Sequence, residues 1–126
     1  MRRQAMRSGR CAAWLLSALL AAAPAGAASR HAAPSPNPAN DKLMQLKPAG
    51  RAAELARAVG HWCIGAEAFP MGVVASGPSA GYAYWSLRCA DGTAWAVQID
   101  PTGEYVAIDC AEFDARAAGK RCFKHI

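Results

Sequence analysis

Apolar and polar side chains alternate with a period of two in three stretches of the second half of the chain: Tyr82 to Cys89 (YAYWSLRC), Ala94 to Asp100 (AWAVQID) and Tyr105 to Cys110 (YVAIDC). Successive side chains of a strand point to opposite faces, and these stretches are rich in aromatic and β-branched residues, so the pattern predicts three β-strands. Ala90-Asp-Gly92 and Asp100-Pro-Thr-Gly103 lie between them and read as turns, which makes the expected arrangement an antiparallel meander. Earlier in the chain the period changes. Within Pro48 to Val59, Ala52, Leu55, Ala56 and Val59 recur at i, i+3, i+4 and i+7, the spacing of a helix with one apolar face. Pro48 suits the first turn and Gly60 the C-terminal cap. Trp62 to Val74 contains Pro70, which a central strand does not tolerate, so an edge strand or irregular segment is expected there, leading into the loop 75–81.

The alternation also predicts register, because residues directly opposite each other share a face. A three-residue first turn with Gly92 left-handed pairs Leu87 with Trp95, Trp85 with Val97 and Ala83 with Ile99, keeping apolar residues together. For the second hairpin, a two- or four-residue connection pairs Ile99 with Val106, Val97 with Ile108 and Trp95 with Cys110. The face meant for the helix is then Trp85, Leu87, Cys89, Trp95, Val97, Ile99, Val106, Ile108 and Cys110. The expected fold is α+β: one N-terminal helix packed on a three- to four-stranded antiparallel meander and stapled by two disulfides.

A third pattern stands apart from the domain. Arg2, Arg3, Arg7 and Arg10 precede an apolar run, Ala12 to Ala23, which is followed by Pro24-Ala-Gly-Ala27. A basic start, a short apolar core and small residues at the end are the three parts of a cleavable secretory signal peptide, expected over residues 1–27. The run is shorter than the roughly 20 residues a membrane span requires. Cys11 precedes the apolar core and is not placed to become a lipidated N-terminus, and nothing around Arg2-Arg3 strengthens a twin-arginine signal. Residues 28–42, with Pro34, Pro36 and Pro38 and no apolar period, read as a disordered Pro-rich tether, leaving residues 43–126 as a single small α+β domain.

Removing the leader changes the charge balance. The chain has 14 Lys and Arg against 9 Asp and Glu, but four of the arginines belong to the leader, so the remainder is nearly neutral. Bulk charge therefore gives no support to nucleic-acid binding. Four of the five cysteines remain, Cys63, Cys89, Cys110 and Cys122, an even set that can pair in an oxidising compartment. In the expected register Cys89 and Cys110 lie on the two outer strands of the meander, about 11 Å apart by sheet geometry, too far for a bond. Cys63–Cys89 with Cys110–Cys122 is the expected pattern, and Cys63–Cys110 with Cys89–Cys122 the alternative. No two of these cysteines stand in a C-x-x-C, which argues against a structural zinc site or a thioredoxin-like catalyst.

Candidate chemistry is sparse. The sequence has no G-x-S-x-G, H-E-x-x-H, phosphate-binding loop or dinucleotide fingerprint. His61, His125 and Lys124 supply the residue types for acid–base cleavage of a phosphodiester, yet no spacing brings them together. The face of the meander away from the helix is expected to carry Tyr82, Tyr84, Arg88 and Tyr105, a composition typical of interaction surfaces; the other readings are a solvent face or one covered by the tail from Glu112 to Ile126. The layout W-x-x-R-C-x-D-G-x-x-W-x-V-x-I-D-P-x-G, from Trp85 to Gly103, resembles small exported bacterial proteins and brings no catalytic residue with it. The functional expectation is a periplasmic or secreted, non-catalytic binding or accessory module of the cell envelope, without cofactor or metal, whose partner is another envelope or secreted protein rather than nucleic acid. The rival expectation is a small secreted hydrolase, nuclease-like, using His61 and His125.

Overall fold

A computed structural model describes Gly26 and residues 32–126; the expected leader lies, apart from Gly26, outside the described residues. Seven elements follow in chain order: α1 (Pro38–Gln45), α2 (Pro48–Val59), β1 (Gly65–Val73), β2 (Ala83–Cys89), β3 (Ala94–Ile99), β4 (Tyr105–Asp109) and α3 (Cys110–Arg116). The strands form one antiparallel sheet in the order β1-β2-β3-β4. The α+β class and the two disulfides, Cys63–Cys89 and Cys110–Cys122, are as the sequence predicts. Among the described residues no helix is long and apolar enough to cross a membrane.

α2 forms where the helical period lies. Pro48 occupies its first turn, Ala52, Leu55 and Ala56 are buried, and the Gly60 amide donates to the Ala56 carbonyl at 3.0 Å to close the last turn. The helix lies directly on β1, and a Cβ on Gly65 would run into the Ala52 carbonyl, so only glycine permits this approach. Leu55, Trp85, Leu87, Val97 and Ile99 build the main core beneath it with Leu43, Cys63 and Cys89. β1 is the expected edge strand: it pairs Pro70 with Trp85 and Ala68 with Leu87, and its register shifts between Gly65 and Glu67 and between Pro70 and Gly72.

α1 departs from the expected tether. Residues 38–42 are helical, and the folded part begins before residue 43. Asn37 explains the difference. Its side-chain oxygen accepts the Asn40 amide at 2.9 Å and caps the helix, while its Nδ2 donates to the carbonyls of Gly81 and Ile99 at 2.9 and 3.0 Å. Asn40 in turn accepts the indole N–H of Trp85 at 2.8 Å. A segment that is too polar to form a core of its own is held by hydrogen bonds to strands far away in sequence.

The first hairpin has the expected register, with Leu87 opposite Trp95 and Trp85 opposite Val97. The second is shifted by one residue. Ile99 lies opposite Tyr105, Val97 opposite Ala107 and Trp95 opposite Asp109, in place of Val106, Ile108 and Cys110. The cause is that both hairpins close with the same three-residue loop. Cys89 N–H donates to Thr93 O at 2.9 Å and Asp100 N–H to Glu104 O at 3.0 Å, with Gly92 and Gly103 left-handed at φ 88° and 92°. Asp100 Oδ1 fixes the second loop by accepting from the Thr102 amide at 2.8 Å, the Thr102 hydroxyl at 2.7 Å and the Glu104 amide at 2.9 Å. These bonds, the Glu104 amide first, hold the Asp100 carboxyl below its ordinary pKa.

A one-residue shift turns every side chain of β4 over. Tyr105 and Ala107 face the α1–α2 layer, while Val106 and Ile108 point to the opposite face, and Cys110 leaves the sheet to begin α3. That second face is covered. Met71, Tyr84, Ala96 and Phe113 form a second cluster on it, and the buried Ser86 hydroxyl accepts the Phe123 amide at 2.8 Å. Cys110–Cys122 ties the start of α3 to the tail that completes this layer.

Candidate functional site

α3 begins on an aspartate cap. Asp109 at the N-cap accepts the amides of Ala111 and Glu112 at 2.8 and 3.4 Å. The helix has one buried side chain, Phe113, which leans on the ring of Tyr84 with centroids 5.8 Å apart. Between α3 and the β3–β4 part of the sheet runs an open groove of about 550 Å³ whose wall and floor include Tyr84, Gln98, Ile108, Phe113 and Ala117. Glu112 and Arg116 form its rim, joined by an exposed ion pair at 2.9 Å. An exposed pair of this kind contributes little to stability, so both groups remain available to a ligand. Beside the groove Val106 is 44% exposed, a β-branched side chain at the sheet edge facing the same way as Ile108.

The four residues expected to share a binding surface are separated by the register shift. Tyr82 and Tyr84 belong to the cluster under α3, and Tyr84 is buried. Arg88 is exposed on that side, with its guanidinium carbon 4.7 Å from the Phe123 ring centroid and Nε 3.5 Å from Glu67 Oε2. Tyr105 is on the other face, in a shallow depression with Ala39, Leu46 and Glu54. The tail from Glu112 onward supplies the cover, one of the readings the sequence leaves open.

Burial pushes the Tyr84 hydroxyl above its ordinary pKa, with a smaller contribution from Tyr82; burial does the same to Tyr105, aided by Glu54. A group whose folded pKa is raised stabilises the fold below its unfolded pKa, about 10 for tyrosine, and that stability is lost as pH rises through the folded value. The urea midpoint is therefore expected to fall as pH is raised beyond about 10, and Tyr84→Phe, which keeps the ring, to flatten the fall while leaving the midpoint at pH 7 nearly unchanged. Equal pH profiles for the two proteins would remove Tyr84 as the source.

His61 and His125 do not form a site. His61 is exposed in the turn after α2, on the helix side of the sheet, whereas the His125 ring packs on Phe69, 4.9 Å between centroids, on the tail side. Among the described residues no group of three or more His, Cys, Asp or Glu side chains is placed to hold a metal ion. The groove itself escaped the sequence reading, although two signals pointed to it. The second D-x-x-G-type loop fixes the side of Ile108, and Asp109-x-x-Glu112 before Phe113 is a helix start.

The fold and groove together define a small disulfide-bonded α+β domain with a helix-walled groove at one sheet edge. Comparison with protein-family models, with curated proteins and with solved structures found no match.

Proposed function

We propose that this chain is an exported, non-catalytic accessory module of the bacterial cell envelope, and that it binds another envelope or secreted protein through the groove beside α3. The observation that carries the reading is an apolar floor, Ile108 and Phe113, left open beside an exposed Val106 and rimmed by a carboxylate and a guanidinium. Such a site takes an apolar or aromatic side chain and orients it by charge at the rim, the anatomy of a protein-recognition pocket with a desolvated centre and a polar border. Two disulfides and a near-neutral charge outside the leader favour an oxidising compartment and a protein partner over nucleic acid. The hydrolase reading loses support from the separation of His61 and His125.

A photoreactive phenylalanine placed in exported protein at position 116, on the rim, should cross-link to one envelope or secreted protein in living cells. The same group at position 53, on the exposed side of α2, should not. Identical products at both positions, or none at position 116, would defeat the reading.

A further inference from the structure

We propose that β4 is the pairing edge of a two-fold dimer, in which the β4 strands of two copies of this chain lie antiparallel and join their sheets into one. The inference does not rest on the groove reading, although Ala107, Ile108 and Asp109 line the groove as well as this edge, so a second copy and a groove ligand would meet the same strand.

The two edges of the sheet differ. β1 is closed to further pairing in several ways: Pro70 has no N–H to give, the strand is bulged at two places, Glu67 is exposed on it, and the Met71 carbonyl accepts the amide of Ile126 at 3.0 Å. Natural sheets blunt their edges by these means because an open edge recruits another strand. Among the described residues β4 has no proline, no bulge and no backbone bond from another segment on its outer side, and its one exposed charge, Asp109, stands at the last position of the strand. Tyr105-Val-Ala-Ile-Asp109 contains no proline, glycine or lysine, pairs with β3 without a register shift, and no described strand lies on its outer side.

The hydrogen-bond phase sets what that edge offers. Asp100 and Glu104 close the hairpin through a backbone bond, and bonded pairs alternate from there in an antiparallel ladder. Val106 and Ile108 therefore direct their amides and carbonyls to Gln98 and Ala96 of β3, while those of Tyr105 and Ala107, and the amide of Asp109, point outward. With the two-fold axis at Ala107, that residue meets Ala107 of the second copy and exchanges both backbone bonds with it. Val106 then lies opposite Ile108 of the second copy on the α3 face, which covers the 44% exposed Val106. Asp109, the strand's one charged side chain, falls opposite Tyr105 of the second copy and not opposite itself. On the other face the edge is flanked by Leu46, 41% exposed and lining the same depression as Tyr105. The strand is thus self-complementary in hydrogen bonding, apolarity and charge, which a closed two-fold interface requires.

A five-residue strand with short apolar flanks puts this interface below about 1,200 Å², the class of weak and reversible contacts. Sedimentation equilibrium of the disulfide-bonded protein recovered after export should show a monomer–dimer equilibrium with a dissociation constant on the order of tens of micromolar. Protection of the Ala107 amide from hydrogen exchange should rise with protein concentration, while protection of the Val106 and Ile108 amides should not. Val106→Lys should weaken dimerisation at least about tenfold, and Ala107→Pro, which removes an outward amide, should do the same. Ile64→Lys, at a residue 72% exposed elsewhere on the surface, should leave it unchanged. If Ala107→Pro does not fold, Val106→Lys and the exchange data decide. A protein that stays monomeric to millimolar concentration, a dimer weakened by Ile64→Lys but not by Val106→Lys, or an Ala107 amide indifferent to concentration would each overturn the proposal.

Discussion

Replacing Asn37 by aspartate should destabilise this protein more than replacing it by alanine, although aspartate keeps the helix-capping oxygen. Asn37 is 1% exposed, and its amide nitrogen donates to three carbonyls: Gly81 at 2.9 Å, Ile99 at 3.0 Å and Asp100 at 3.2 Å. Those carbonyls belong to the entry to β2 and to the β3–β4 turn, so this one side chain joins α1 to both. Alanine removes the cap, at a cost of about 1 kcal/mol, and leaves buried carbonyls without a donor, at about 2 kcal/mol more. The sum of about 3 kcal/mol lowers Tm by about 12 to 24 °C for a domain of this size. Aspartate keeps the cap but directs a buried carboxylate oxygen at the same carbonyls, with the penalty of an unpaired buried charge added. Thermal unfolding followed by tryptophan fluorescence gives the order: wild type, then Asn37→Ala, then Asn37→Asp. A loss under about 1 kcal/mol for both would show that α1 is not anchored in this way.

Removing the Cys63–Cys89 bond should cost more than removing Cys110–Cys122. The first spans 26 positions and the second 12, which on loop-closure entropy corresponds to about 3.5 and about 3 kcal/mol respectively. Packing widens the difference. Cys63 and Cys89 are 7% and 2% exposed within the main core under α2, so alanine at both leaves a cavity as well as a freer chain. Cys110 and Cys122 are only partly buried at the margin of the second layer. Cys63→Ala/Cys89→Ala is thus expected to shift the urea midpoint furthest. Cys110→Ala/Cys122→Ala should chiefly loosen α3 and the tail, seen as faster hydrogen exchange at Phe113 and Phe123. Equal midpoints for the two double variants and wild type would rule out the bonds as major sources of stability.

The two hairpins show how legibility depended on turn chemistry. In the first, the sequence offers only one register that keeps apolar residues together, and a left-handed Gly92 satisfies it. In the second, both alternating sets, Tyr105 with Ala107 and Val106 with Ile108, are apolar enough to be buried, and both are partly covered, on opposite faces. Hydrophobicity could not choose between them. The loop chose, through Gly103 and the three bonds to Asp100. The disulfide pairing was legible for a related reason. Cys89 forms no bond with Cys110: each pairs with a flanking cysteine although Cys110 opens α3 instead of ending a strand, because β2 and β4 stay on either side of β3 in both registers, so the conclusion was insensitive to the shift. The candidate surface was sensitive to it, which is why Tyr105 left the company of Tyr82, Tyr84 and Arg88.

By itself the sequence determined the α2 period, the strand alternation, Pro70 at an edge and an even set of four domain cysteines, because each rests on residues close together in the chain. Only the tertiary structure decided that Asn37 anchors a helix inside the supposed tether, that the second face is buried under α3 and the tail, and that a groove opens beside β4. These depend on hydrogen bonds and packing between residues tens of positions apart. Local pattern carries no record of them, since a polar residue has the same immediate neighbours whether water or a distant carbonyl satisfies it.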